Sequence, residues 1–321
     1  MKTLAAVALA ALVLLLAPGP ARAAGSDYPD RPITILAPFG AGSTVDVEAR
    51  FLAEALRQRL HQPVVVVDVP GGSGGVALDQ LESQPADGYT LLLCTRTISF
   101  LLASGEVKWT PADLVGVMRL NGEAAGFYAS TAGPYRNLAD FVKAAKANPG
   151  KLAIGGPEAV SINHQVEIEF ADAAGIDVNW VPFKSGTEVT AAVLGGHIDA
   201  GIAAASNALD QVRAGGMRFL AVAAKPPYQP YPDAPTFEQG RYPVVEYVWR
   251  GILAKAGTPP ATVAAIVAAV NAVRASPEWA DFSKHEAQVD LYMGTRDFQA
   301  YFAKEVSATT QLAKRMAAES K

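Results

Sequence analysis

The sequence predicts an α/β protein built as two lobes, and three observations carry that expectation. Short apolar or β-branched runs alternate with helical stretches along the chain, the order that gives parallel strands covered by helices on both faces. A strand, glycine turn and helix near the start have a structural counterpart beginning at 152–155. A chain of 321 residues is also too large for one simple core.

The first strand is the β-branched run Ile33, Thr34 and Ile35, closed by Pro38. The helix after it shows Phe51, Leu52, Ala55, Leu56 and Leu60 on one face and Glu48, Arg50, Arg57 and Arg59 on the other. A valine strand at 64–69 stops at Pro70-Gly71-Gly72-Ser73-Gly74-Gly75. A short helix at 76–83 and the turn Pro85-Ala86-Asp87-Gly88 then lead to a strand at 89–95. The helix at 137–147 is closed by Asn148-Pro149-Gly150. Strand 152–155 opens the second series: helix 163–174, strand 179–183, helix 188–194, strand 198–203, helix 208–214 and strand 218–223. A proline-rich surface connection at 225–235 precedes strand 244–253 and helices at 260–274 and 295–318.

The first residues indicate the compartment. Lys2 precedes an apolar run at 4–17, Pro18 and Pro20 break it, and Ala21-Arg22-Ala23 supplies a small-x-small cleavage pattern. This predicts a signal peptide at 1–23, a mature chain from about Ala24, and a periplasmic or secreted protein. The run is short for a membrane span, and no cysteine near the cleavage point offers a lipid anchor.

Composition narrows the function. Half the residues are hydrophobic and 18% are charged, a globular profile. A net charge of −4 without a basic cluster argues against nucleic acid. The single cysteine, Cys94, lies in the apolar run Leu91-Leu92-Leu93 and reads as a buried inert thiol. Four scattered histidines give no metal-ligand spacing, and no metal or cofactor is expected.

Between the first strand and its helix stand Gly40, Gly42, Ser43 and Thr44. Bare amides and two hydroxyls at a helix N-terminus suit a carboxylate or phosphate. Ser43 and Thr44 either contact such an anion or cap the helix. Gly71-Gly72-Ser73-Gly74-Gly75 also fits the G-x-S-x-G nucleophile elbow, with Asp199 and His285 later in the chain, so a serine hydrolase using Ser73 is the competing enzyme reading. The short helix and the preceding Pro70 weigh against it. The same turn fails as a dinucleotide fingerprint, because Ala77 takes the third glycine position.

Several blocks resemble one known family. They are Tyr28-Pro29-Asp30-Arg31-Pro32-Ile33, Pro38-Phe39 with Gly42 and Asp46, Gln62-Pro63-Val64-Val65-Val66, and the turn from Pro70 to Gly75. Asp87-Gly88-Tyr89-Thr90-Leu91-Leu92, Ala147-Asn148-Pro149-Gly150-Lys151-Leu152, His164, and Val181-Pro182-Phe183-Lys184 follow. Leu194-Gly195-Gly196 with Asp199, and Ala256-Gly257-Thr258-Pro259, complete the set. In order and spacing the chain resembles a solute receptor of the tripartite tricarboxylate transporter system, the TctC or Bug group.

That resemblance implies a type II periplasmic binding protein: two α/β lobes that close on a small carboxylate and deliver it to membrane subunits of a tripartite transporter, the receptor acting as a monomer. Lobe I is expected from 24–122 with 248–321 and lobe II from 123–247, and the extended segments 114–128 and 246–253 read from the residues themselves as the crossings. Ligand contacts would come from 39–46, from 95–99 and from 156–164. These ranges give Phe39, Gly42, Ser43, Thr44, Arg96, Thr97, Ser161 and His164 as candidate ligand-binding residues, and Lys184 after a strand end, the crossing aromatic Trp249 and Arg250 join them. Each has a structural alternative. Ser161 caps a helix, His164 anchors a loop, Lys184 is solvated, Phe39 and Trp249 belong to the core, and the arginines form internal ion pairs. Asp46 is expected to hold its loop, since a carboxylate repels an anionic ligand.

Departures from the family pattern bear on the ligand. Ser43 replaces a usual second glycine, and Pro157-Glu158-Ala159-Val160 replaces a glycine- and serine-rich loop. Ala203 and Ala204 stand where an acidic or amide residue is common, which argues against an amino acid. Arg96 and Arg250 replace smaller residues, so either could add a second anionic anchor and favour a dicarboxylate or aromatic acid. A sensor role with a signalling partner needs the same closing cleft and stays open.

Overall fold

The computed structural model describes residues 28–319, so the leader expected at 1–23 lies outside the described residues. Nine strands and ten α-helices make up the described residues. Strand β1 (Ile33–Ala37) pairs in parallel with β2 (Val64–Asp68) and β3 (Thr90–Thr95). Helices α1 (Thr44–Leu60) and α2 (Gly75–Glu82) make the crossovers, and α3 (Thr97–Ser104) leaves β3 directly. The second series runs β4 (Leu114–Ser130), α4 (Leu138–Ala147), β5 (Ala153–Pro157), α5 (Ile162–Ala174), β6 (Asn179–Phe183), α6 (Gly186–Leu194), β7 (Ala200–Ala204), α7 (Ser206–Arg213) and β8 (Met217–Val222). The chain ends with β9 (Tyr247–Lys255), α8 (Pro260–Arg274), α9 (Pro277–His285) and α10 (Thr295–Glu319).

Strand β4 ties the lobes together. Its first part pairs antiparallel with β9 from Leu114 to Ala124, and its last part pairs with β7 and β8 from Ala125 to Ser130. The resulting order is β2-β1-β3-β9-β4-β7-β5-β6, with β8 also on β4. Two antiparallel segments, β4 and β9, thus cross side by side between two otherwise parallel sheets.

Burial on both sheet faces explains the continuous apolar strands. Ile33, Ile35, Leu91, Leu93 and Ile252 pack under α1 and α8 with Val45, Leu52, Leu56, Val263 and Ile266. Leu36, Leu92, Phe100, Phe127, Phe141, Phe170, Phe298 and Phe302 fill a second core that runs through both lobes beneath α3 and α10. Tyr128, Val189, Val193, Leu209 and Phe219 form a third core in the second lobe.

Two helices escaped the sequence pattern. Every residue of α3 is buried, so Thr-Ile-Ser-Phe-Leu-Leu-Ala-Ser carries no amphipathic period. Helix α9 is short and starts at a Ser276 cap whose Oγ accepts from the Trp279 amide. One residue changed sides: Glu48, on the polar face by pattern, is fully buried. Cys94 is buried as expected, and burial pushes its thiol pKa up.

Candidate functional site

The carboxyl ends of both parallel sheets face one narrow cavity between the lobes, of about 40 Å³. That volume has room for about three water molecules. Lobe I contributes Phe39, Ser43, Thr44 and Val45 from the β1–α1 junction, with Thr95 and Thr97 from the β3–α3 junction. Lobe II contributes Pro157 and Asn163 around the start of α5, Ser185 and Gly186 at the start of α6, and Ala204 and Asn207 around the start of α7. Val248 of the crossing strand β9 completes the wall.

Five helices, α1, α3, α5, α6 and α7, therefore present their amino ends to the same cavity. Their caps form from short local patterns. Ser43 Oγ accepts from the Asp46 amide at 3.2 Å, while the Gly42 amide donates to Asp46 Oδ2 at 2.8 Å. Ser161 Oγ accepts from the His164 amide at 3.2 Å, and Ser185 Oγ accepts from the Glu188 amide at 3.2 Å. Each cap satisfies one amide and leaves the first-turn amides of Thr44 and Val45, and of Gly186, without an intrahelical acceptor. Among the described residues no Asp, Glu, Lys, Arg or His lines the cavity. Its polarity comes from helix ends, five hydroxyls and two side-chain amides, a combination that favours an anion without a formal counter-charge.

Of the expected contact residues, the fold brings Phe39, Ser43, Thr44 and Thr97 together on the cavity wall. The other seven lie elsewhere. Gly42 is exposed at φ 77° and supplies a turn, its carbonyl accepting from Thr187 Oγ1 of lobe II at 3.3 Å. Ser161 is fully buried and spends its hydroxyl on the α5 cap. The His164 ring stacks on Trp180 at 4.6 Å and binds the Ala159 carbonyl through Nδ1 at 2.6 Å, which anchors the loop. It borders a separate groove of about 620 Å³ on α5 and β6. That groove is larger, but it is not at the strand ends where both sheets meet. Lys184 is exposed, and its backbone amide donates to Glu188 Oε2 at 3.2 Å.

Both arginines are engaged by internal carboxylates and neither lines this cavity. Arg96 is ion-paired with Glu246, and with Glu305 of α10 at 2.8 Å. Arg250 is 1% exposed and sits between Glu123 and Glu48, the latter at 3.5 Å. Each guanidinium is drawn into the interior because carboxylates already buried there require a partner. Trp249 is a core residue, 1% exposed, whose Nε1 donates to Glu305 Oε2 at 3.0 Å.

Burial raises the Glu48 pKa to about 7, against the opposing pull of Arg250 and of hydrogen bonds from Asn121 and Gln288. The hydrolase reading finds no assembled triad. The Ser73 amide donates to Glu158, Asp199 accepts from Tyr135 Oη at 2.8 Å, and exposed His285 faces Glu286 at 2.9 Å.

Thr95 and Asn163 fall within the expected contact ranges 95–99 and 156–164, whereas sequence reasoning missed Ser185, Gly186 and Asn207. The signal was present: Phe183-Lys184-Ser185-Gly186 and Ala204-Ala205-Ser206-Asn207 are strand-to-helix junctions like the first one. The same anion-site rule applied to each junction would have selected them.

The family model described as the tripartite tricarboxylate transporter family receptor, TctC, matches residues 48–317. The chain belongs to the TctC receptor family. It is 28% identical over 303 residues to the UPF0065 protein in the gbd 5′ region of Cupriavidus necator, covering 94% of this chain and 92% of that one. It is 29% identical over 249 residues to BugT of Bordetella pertussis, covering 76% of each. Among solved structures, Rpa4515 of R. palustris with adipate superposes with a TM-score of 0.84 at 24% identity, over 91% of this chain and 99% of that one. MatC of Rhodopseudomonas palustris with bound malate gives 0.81 at 21% identity, over 90% and 99%. These two establish the shared fold of the TctC receptor, and the family is a class of solute-binding receptors rather than of enzymes.

Proposed function

We propose that this TctC receptor is periplasmic, captures a small carboxylate between its lobes, and passes it to the membrane subunits of a tripartite transporter. The observation that carries this reading is the convergence of five helix amino ends on one cavity without a charged side chain among the described residues. Adipate in Rpa4515 and malate in MatC support a carboxylate as the solute. The lobes in this reading are 24–122 with 248–321, and 123–247, hinged where β4 and β9 run side by side. The contact set is Phe39, Ser43, Thr44, Thr95, Thr97, Asn163, Ser185, Gly186 and Asn207. With Arg96 and Arg250 engaged by internal carboxylates, the reading rests on the helix ends and is stated for the general class of small carboxylates.

A thermal-shift screen of the mature protein against mono-, di- and tricarboxylates, aromatic acids and amino acids tests it. A ligand at a hundredfold excess over Kd stabilises by about 2.7 kcal/mol, an easily visible shift. Stabilisation by carboxylates alone supports the reading. Stabilisation by amino acids alone, or by none of the acids, removes the class proposed here.

A further inference from the structure

Two of the helix ends at the cavity share one carboxylate. Glu246 lies two residues before Val248 of the cavity wall, and its amide donates to the Ala223 carbonyl at 2.8 Å. Its Oε2 is ion-paired with Arg96, and its Oε1 accepts from Gln165 Nε2 at 3.0 Å. Arg96 stands between Thr95 and Thr97 at the amino end of α3. There its own amide donates to the Trp249 carbonyl at 3.1 Å, and its Nε pairs with Glu305 at 2.8 Å. Gln165, two residues beyond Asn163 in α5, is 7% exposed and also donates to Glu169 Oε1 at 2.6 Å. The Arg96 and Glu246 side chains are 13% and 19% exposed, so their charge-assisted contact is shielded from the screening that weakens a surface pair. Thr95 and Thr97 of the β3–α3 junction and Asn163 of α5, all on the cavity wall, are thus carried by elements that Glu246 joins.

We propose that Glu246 is a positioning residue: by holding Arg96 with one oxygen and Gln165 with the other, it fixes the spacing of the α3 and α5 amino ends and so the length of acid that the cavity accepts. This positioning role rests on the carboxylate-receptor reading above and deepens it. Glu246 is not on the cavity wall and acts through the elements it joins. A solute held at both helix ends must match their spacing, and one methylene too many or too few costs about tenfold or more in discrimination.

Isothermal titration of the mature protein with two homologous series tests it. One is butyrate, pentanoate and hexanoate, and the other is succinate, glutarate and adipate. The wild type is expected to favour one chain length of at least one series by roughly tenfold. Glu246→Ala removes both contacts, and Gln165→Leu removes the α5 contact while leaving the Arg96 ion pair in place. Each is expected to bring that preference to within about threefold. A residue that only stabilised the fold would weaken every acid equally and leave the order of lengths unchanged, so a preference that survives in either folded variant overturns the proposal. Circular dichroism identifies a variant that fails to fold, and the other then decides. A wild type without length preference overturns the proposal and leaves the receptor reading intact. Failure of every member to bind also overturns it, while the receptor reading stands or falls separately with the thermal-shift screen.

Discussion

The backbone N–H of Ser73 donates to Glu158 Oε2 at 3.3 Å, joining the glycine turn after β2 to the loop after β5 across the cleft. Both residues hold positive φ, 54° at Ser73 and 59° at Glu158, where a side chain is strained. The glycine turn after β2 and the loop after β5 therefore form a clasp between the lobes.

Glycine at 158 removes the strained φ and the clasp together. E158G is expected to leave the stability of the ligand-free protein within about 1 kcal/mol of wild type. It should speed ligand release several-fold, because an interlobe contact that favours the bound arrangement slows dissociation. Stopped-flow displacement measures this, and an unchanged release rate would show the clasp to be idle.

Glu48 gives the fold a pH dependence of definite sign. Burial raises its pKa from the ordinary carboxylate range to about 7, so the folded state binds a proton that the unfolded chain releases above about pH 4.5. Its stabilising contribution is complete below pH 4.5 and is lost as pH rises toward 7. The effect is up to roughly 3 kcal/mol across that window. E48Q should flatten this segment of the stability profile, as read by urea denaturation from pH 4.5 to 8.

Arg250 compensates two fully buried carboxylates, Glu48 and Glu123, and through Glu123 it reaches the Ser206 amide at the start of α7. Removing the cation strands both acids. R250A should cost about 3–5 kcal/mol of stability. The ligand affinity of the molecules that still fold should stay within about threefold of wild type, because the guanidinium does not line the cavity. A large affinity loss at unchanged stability would place Arg250 in the binding machinery after all.

Gly186 is fitted against Asn207. A Cβ at this position would overlap Asn207 Oδ1, and both residues line the cavity. G186A is expected to displace the Asn207 side chain, costing about 1–3 kcal/mol in packing and weakening ligand binding roughly tenfold. Titration calorimetry beside thermal denaturation separates the two effects.

The sequence alone determined the alternation of strands and helices, the two-lobed class and the first anion-ready junction. Each of these is written in contiguous residues, such as Ile33-Thr34-Ile35 before Gly40 and Ser43, and local periodicity and capping depend only on near neighbours. Tertiary structure decided what the long side chains do. Arg96, Arg250 and Trp249 look available in the sequence, but acids distant in the chain, Glu305, Glu123 and Glu48, claim them in the interior. Helix α3 was hidden because burial on all sides erases the amphipathic signal. The cavity itself emerged only when β4 and β9 brought five separate helix ends to one place. Local chemistry is readable one segment at a time, whereas partnership between buried charges and convergence of helix ends depend on which distant segments the fold makes neighbours.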